Sequence, residues 1–185
     1  MARPRSISDE RILRALGEVI SAQGPGFTVA DVAAAAGISV GTVAQRFGSK
    51  HGLLKALSAA AIEQIEGQVM AAASAAPTPL DAVRAAVLGA YRDLDDPATA
   101  VNNLGQLASD LADPELRALL GKGYAVLENS LHPLLRAANL PAGLARLLVS
   151  LANGTAIDWS VRPRGRLLDR LAEDMDMVLK GWGER

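Results

Sequence analysis

Apolar residues in the first 55 positions recur at helical spacing, and turn signals punctuate them. Ile12, Leu13, Leu16, Val19 and Ile20 mark one face of a helix that Ser8 is placed to cap. Asp9 and Glu10 fall in its first turn, where the helix dipole favours acids. Gly24-Pro25-Gly26 ends the element. Thr28 predicts a second cap, with Asp31 three residues on as its capping-box partner, and Val32, Ala33 and Ala36 form the inner face. Gly37 suits the left-handed conformation just past a helix end. After Ile38, Ser39 predicts the cap of a third helix whose inner face is Val43 and Phe47. Gly48-Ser49 closes it, and Ser49 is placed to cap a fourth helix from Lys50. Two short helices joined by Gly37-Ile38-Ser39 are a helix-turn-helix.

Longer helical patterns follow, over about 50–73, 78–94, 98–111 and 114–138. Leu80, Val83, Val87 and Tyr91 share a face of the second. Asp113-Pro114-Glu115 is a start signal with proline at the first helical position, whereas Pro133 predicts a kink or break inside the helix that follows. Leu140-Pro141 opens a helix lasting to about Val161, Arg162-Pro163-Arg164-Gly165 is a turn, and 166–182 is the last helix. No repeat, low-complexity tail or strand pattern is present. The expected fold is all-α: a three-helix head over residues 1–55 and a larger helical body over 56–185.

Composition agrees with that reading. The 185 residues include 35 alanines and six aromatics. Alanine loses no side-chain entropy in a helix, whereas sheets lean on β-branched and aromatic residues. Without cysteine there are no disulfides, thiolate metal sites or cysteine nucleophile. His51 and His132 are 81 positions apart, too far to form a local metal motif, so neither a metal nor a cofactor is expected. The apolar stretches are broken well before the roughly 18 residues of a membrane span. Met1 to Ser8 has two arginines but no apolar run behind it, unlike a secretory signal. The expectation is a soluble cytoplasmic protein without membrane contact.

The net charge of −1 conceals a split. Residues 1–55 carry seven Lys/Arg against four acids, a net +3, and the remaining 130 carry 12 bases against 16 acids, a net −4. A basic head on an acidic body suggests that the head alone meets a polyanion.

The run Thr28-Val-Ala-Asp-Val-Ala-Ala-Ala-Ala-Gly37-Ile38-Ser39-Val40-Gly41-Thr42-Val43-Ala44-Gln45-Arg46-Phe47-Gly48-Ser49-Lys50 resembles the DNA-binding domain of the TetR family of transcriptional regulators. The resemblance covers about the first 55 residues closely and the body in outline. It implies a DNA-binding regulator, most often a repressor. In this family the variable helical body dimerises and usually binds a small ligand. The second helix of such a motif enters the major groove. With Val43 and Phe47 inward, Val40, Gly41, Thr42, Gln45 and Arg46 face outward. Val40 suits a thymine methyl and Gly41 a close backbone approach, Gln45 suits adenine, and Arg46 suits guanine or phosphate. The resemblance makes Thr28, Ser39, Thr42 and Lys50 contacts to the DNA backbone. Arg3 and Arg5 suggest an arm reaching a neighbouring groove. Two positions depart from the family. Ala44 replaces a common tyrosine and so removes one phosphate contact, and His51-Gly52 replaces an acidic pair that helps cap the fourth helix.

In the body, Leu168, Leu171, Met175, Val178 and Trp182 repeat at seam spacing, and Leu144, Leu147, Leu148 and Leu151 begin a stripe on the preceding helix. The resemblance makes these two helices the interface of a homodimer, with Leu144, Leu148, Leu151, Leu168, Leu171, Met175 and Val178 as its residues. Paired heads would read a near-palindromic double-stranded site. Tyr91, Tyr124 and Trp159, with Gln106 and Asn153, are candidates to line a mainly apolar effector pocket. Glu128 and His132 pair at helical spacing without a nucleophile motif, so an enzyme is not expected. The alternative is a helical interaction module that has lost specific DNA binding.

Overall fold

The computed structural model describes residues 7–183, with side chains to Gly181. Arg3, Arg5 and the Trp182 side chain lie outside the described residues. Among those described there are nine α-helices and no strand. The first, α1 (Asp9–Gln23), buries Ile12 and Leu16 completely. Ser8 stands at its N-cap position, but its side chain caps no backbone N–H of the helix. Its hydroxyl meets the Glu10 carboxylate instead, which holds that carboxyl below its usual range. A short 3-10 turn at Gly24–Gly26 follows.

Helix α2 (Val29–Ala36) starts with a complete capping box: Thr28 Oγ1 accepts the Asp31 N–H at 3.3 Å, and Asp31 Oδ2 accepts the Thr28 N–H at 2.7 Å. At its end Gly37 has φ +70°, and the Gly37 and Ile38 N–H groups turn back to the Ala34 and Ala33 carbonyls at 3.1 and 3.0 Å. That pair of bonds satisfies carbonyls which the helix itself leaves open. Helix α3 (Val40–Phe47) is capped by Ser39, whose Oγ accepts the Thr42 N–H at 3.1 Å.

The remaining helices are α4 (Lys50–Ser74), α5 (Pro79–Tyr91), α6 (Ala100–Ala112), α7 (Pro114–Ala137), α8 (Leu144–Val161) and α9 (Leu167–Gly183). Two of these differ from the pattern reading. Helix α7 runs on through Pro133 without a break. An interior proline costs about 3 kcal/mol, but Leu131 and Leu135 beside it are completely buried, and each buried leucine contributes roughly 1.5–3 kcal/mol. Leu140-Pro141 does not begin α8. Asn139 has φ 56°, and the Leu140 N–H bonds the Leu135 carbonyl at 2.8 Å, so these residues end α7 and α8 starts at Leu144.

The chain divides into two compact units. One runs up to Ala60 and includes Asn102–Leu119, a segment that the boundary at residue 55 leaves out. Leu116 is buried with Leu16, Phe27, Val32 and Leu53 in this unit's core, and Leu119 packs against it. The other unit comprises Ala61–Val101 and the chain from Leu120 on. Its core joins Val83 and Val87 of α5, Leu131 and Leu135 of α7, Leu148 and Ala152 of α8, and Leu171 and Met175 of α9.

This corrects the interface expected from the seam pattern. Leu144, Leu148, Leu171 and Met175 are at most 2% exposed inside the chain's own core, where no second copy can reach them. Leu151, Leu168 and Val178 are half-buried and pack against the same core. Among the described residues, the large apolar side chains that α8 and α9 leave outside are Leu147, Ile157, Val161 and Met177, exposed by 44–70%.

Candidate nucleic-acid interface

Helix α3 is held to the head by Val43, which is buried, and by Phe47, which is half-buried. That anchoring turns Val40, Gly41, Ala44 and Gln45 outward, all of them exposed. A Cβ on Gly41 would meet nothing nearer than Ser39 Oγ at 3.7 Å. The head's own packing therefore does not require glycine there, and the bare backbone is left for an outside surface. The Ser39 and Thr42 hydroxyls lie 2.9 Å apart and bond to each other, with Thr42 partly buried and Ser39 exposed. Thr28, also exposed, presents the N-terminus of α2.

Both cations expected at the DNA already have protein partners. Lys50 Nζ donates to the Pro25 carbonyl at 2.5 Å and the Phe27 carbonyl at 2.7 Å, and stands over the Phe27 ring. Arg46 Nη1 donates to the Ile7 carbonyl at 2.5 Å and to Asp9 Oδ1 at 3.2 Å. Lys50 thus braces the head, and Arg46 reaches α1. His51 does not simply face solvent or DNA, because its Nε2 lies 3.3 Å from Asp113 Oδ2. Backbone N–H groups at Leu116 and Glu115, with His51, hold the Asp113 carboxyl below its usual range. Lys55 pairs with Glu115 at 2.5 Å. Asp9, Asp113 and Glu115 were missed in the sequence because their partners lie 37 to 62 positions away.

Gly52, one of the departures from the family pattern, has a steric reason. A Cβ there would fall 1.9 Å from the Phe47 carbonyl oxygen. Ser49 supplies the cap instead, its Oγ accepting the Gly52 N–H at 3.1 Å. The loss of an acidic pair is thereby offset by a hydroxyl cap.

The expected effector residues separate. Tyr91, Asn153 and Tyr124 come together in the second unit: Tyr91 donates its hydroxyl to Asn153 Oδ1 at 2.7 Å, and Tyr124 lies beside Asn153. Burial pushes both phenols up, so both are neutral and able to donate. Trp159 belongs to a separate cluster with Ala100 and Leu167, its Nε1 donating to the Gly165 carbonyl at 3.2 Å. Gln106 lies in the other unit, 6% exposed, with Nε2 on Asp110 and Oε1 without a partner among the described residues. The described residues hold no cluster of side chains able to bind a metal, and none of their helices is long and apolar enough to cross a membrane.

Residues 12–57 match the sequence profile of bacterial regulatory proteins of the tetR family. No curated protein matches the sequence. Among solved structures, a transcriptional regulator from Rhodococcus sp. Rha1 is 23% identical, with TM-score 0.74 over 96% of this chain and 98% of its own. A TetR-family transcriptional regulator from Streptomyces coelicolor is 22% identical, with TM-score 0.71 over 94% and 95%. The regulator FadR from Bacillus subtilis, solved in complex with stearoyl-CoA, is 18% identical, with TM-score 0.70 over 94% and 99%. These likenesses show a shared fold. Proteins of the matched family are non-enzymatic DNA-binding transcription factors. Residues 12–57 thus carry the N-terminal domain of the tetR family of bacterial regulatory proteins, and the chain shares its fold along nearly its whole length with solved transcriptional regulators.

Proposed function

We propose that this chain is a homodimeric repressor, which reads a near-palindromic duplex with α3 and is released by a small molecule bound in the helical body. The observation that carries the reading is the division of α3: Val43 is buried, while Val40, Gly41 and Gln45 are exposed on its far side. Gln45 is the base reader, placed to bond adenine bidentately. Val40 packs on a thymine methyl, and Gly41 lets the backbone approach. Thr28, Ser39 and Thr42, at the starts of α2 and α3, face phosphates, to which helix N-terminal N–H groups are attracted. Lys50 adds its charge while bracing the head.

The effector meets the Tyr91–Asn153–Tyr124 group, a polar set within a mostly apolar core. Such a site suits a largely apolar or amphipathic molecule with one or two polar groups. FadR, with its bound stearoyl-CoA, offers one example of that chemistry on this fold. Release requires the molecule to bind the DNA-competent state less well than the alternative. Dimerisation uses the outer apolar face of α8 and α9, with Leu147, Ile157, Val161 and Met177, flanked by the half-buried Leu151, Leu168 and Val178.

The test is a fluorescence-anisotropy titration with duplex DNA flanking the chain's own coding region, at two salt concentrations. Sequence-preferring binding that weakens steeply with salt is expected. Binding no tighter than to random DNA overturns the reading in favour of an interaction module without DNA specificity. Exposed Ala44, which lacks the family's aromatic contact, would explain that outcome.

A further inference from the structure

We propose that Asp9 is a positioning residue for DNA recognition: with the Ile7 carbonyl it holds the Arg46 guanidinium by one nitrogen and so aims its other edge at a pair of acceptor atoms on DNA. The inference rests on α3 being the reading helix.

A guanidinium carries five N–H groups in a planar fork and stays charged in proteins. In Arg46 the two hydrogens of Nη1 are engaged, by the Ile7 carbonyl at 2.5 Å and Asp9 Oδ1 at 3.2 Å. The three on Nε and Nη2 meet no hydrogen-bond partner among the described residues. The Nε–Nη2 edge is the side of the fork suited to two acceptors at once, as guanine O6 and N7 or two phosphate oxygens provide.

Both holding groups are themselves fixed. Ile7 packs its side chain against the head's core, which sets the position of its carbonyl. Asp9 begins α1, whose buried Ile12 and Leu16 lock the helix to the same core. The Arg46–Asp9 pair spans α3 and α1, and its side chains are 29% and 62% exposed. An ion pair as open as this contributes little to stability. Its effect falls on orientation, because a long side chain already held loses less freedom when it binds. A carboxylate beside DNA is otherwise unfavourable, so its place next to a reading-helix cation calls for a compensating role.

The experiment uses the full chain and the duplex that binds in the titration above, with Asp9→Ala, Arg46→Ala and the double variant. Asp9→Asn is carried alongside as a milder change, and circular dichroism confirms that each variant is folded. Asp9→Ala is expected to weaken binding about tenfold, and to add nothing in the Arg46→Ala background. Loss concentrated at one G·C pair identifies a guanine edge as the target. Equal loss on all sequences, with a salt slope lower by about one, identifies a phosphate. Either pattern supports the inference. Unchanged or tighter binding by folded Asp9→Ala and Asp9→Asn overturns it, since Asp9 would then be idle or would hold Arg46 away from DNA. Failure of the wild-type chain to prefer any duplex overturns the reading of α3 as well, and that result is visible before any variant is made.

Discussion

Lys50 is fixed by Phe27: its Nζ donates to the Phe27 carbonyl at 2.7 Å and stands 4.0 Å from the centroid of the same residue's ring. Between these two residues in the chain lies the whole helix-turn-helix, α2 and α3 with their caps. The Pro25 carbonyl takes a further ammonium hydrogen at 2.5 Å. The bracket therefore ties the entry of the motif to its exit through two of the three ammonium hydrogens and the ring face.

Replacing Lys50 with methionine keeps the apolar stem and removes the donors. Bonds from a charged donor are worth about 1.5–3 kcal/mol each, and partial exposure places the expected loss toward the lower end of that range. Thermal unfolding of Lys50→Met should show a lower Tm in the absence of DNA. An unchanged Tm would mean that the bracket does not hold the motif closed.

Gly52→Ala separates sterics from propensity. Alanine in place of glycine ordinarily stabilises a helix by about 1 kcal/mol. In this chain the new Cβ would lie 1.9 Å from the Phe47 carbonyl oxygen, which is backbone and must itself move. The expected result is a net loss of roughly 1–3 kcal/mol, with DNA binding weakened because Phe47 ends α3. Denaturant unfolding reads the sign directly, and a gain in stability would contradict the close approach.

Asp110 gives a pH-dependent prediction. Burial raises its carboxyl above the usual range, against the opposing hydrogen bond from Gln106. A carboxyl whose pKa is higher folded than unfolded favours the folded state when protonated, and that benefit is lost as the pH rises through its folded value. Asp110→Asn removes the charge and retains an acceptor for Gln106 Nε2. The variant should be more stable than the wild type at pH 7, and the difference should shrink as the pH falls through the raised folded value and vanish below about pH 4. A gain that persisted unchanged to pH 3 would assign it to packing instead of charge.

Leu148 and Ile157 stand on the same helix in opposite roles. Leu148 is completely buried in the chain's own core, whereas Ile157 is 44% exposed. Leu148→Ala should cost about 2–5 kcal/mol. Ile157→Ser should change the stability of the protomer by less than about 0.5 kcal/mol, yet weaken self-association measured by sedimentation. Should Ile157→Ser leave the dimer intact, the outer face of α8 is not the interface.

The local features of the head were legible because their causes lie within a few residues. Thr28 and Asp31 are three apart, as are Ser39 and Thr42, and a hydroxyl at that spacing bonds an open N–H wherever the rest of the chain goes. Gly37 met a requirement for positive φ that a side chain resists. Ser8 shows the limit of the same signal: it has the right neighbours, but its hydroxyl bonds the Glu10 side chain and caps no backbone group.

What the sequence by itself determined was the helical class, the place of the helix-turn-helix and the outward face of α3, all set by periodicity and caps acting between near neighbours. Tertiary structure alone decided that Arg46 meets Asp9, that Lys50 meets Phe27, and that Asn102–Leu119 joins the head's unit. It also decided the fate of the α8 and α9 stripes. An apolar stripe says that a helix face must be covered, but not whether the cover comes from the same chain or from another. Leu148 and Met175 lie inside because α5 and α7 of the same chain pack over them, and contacts between residues so far apart in the chain leave no local pattern to read.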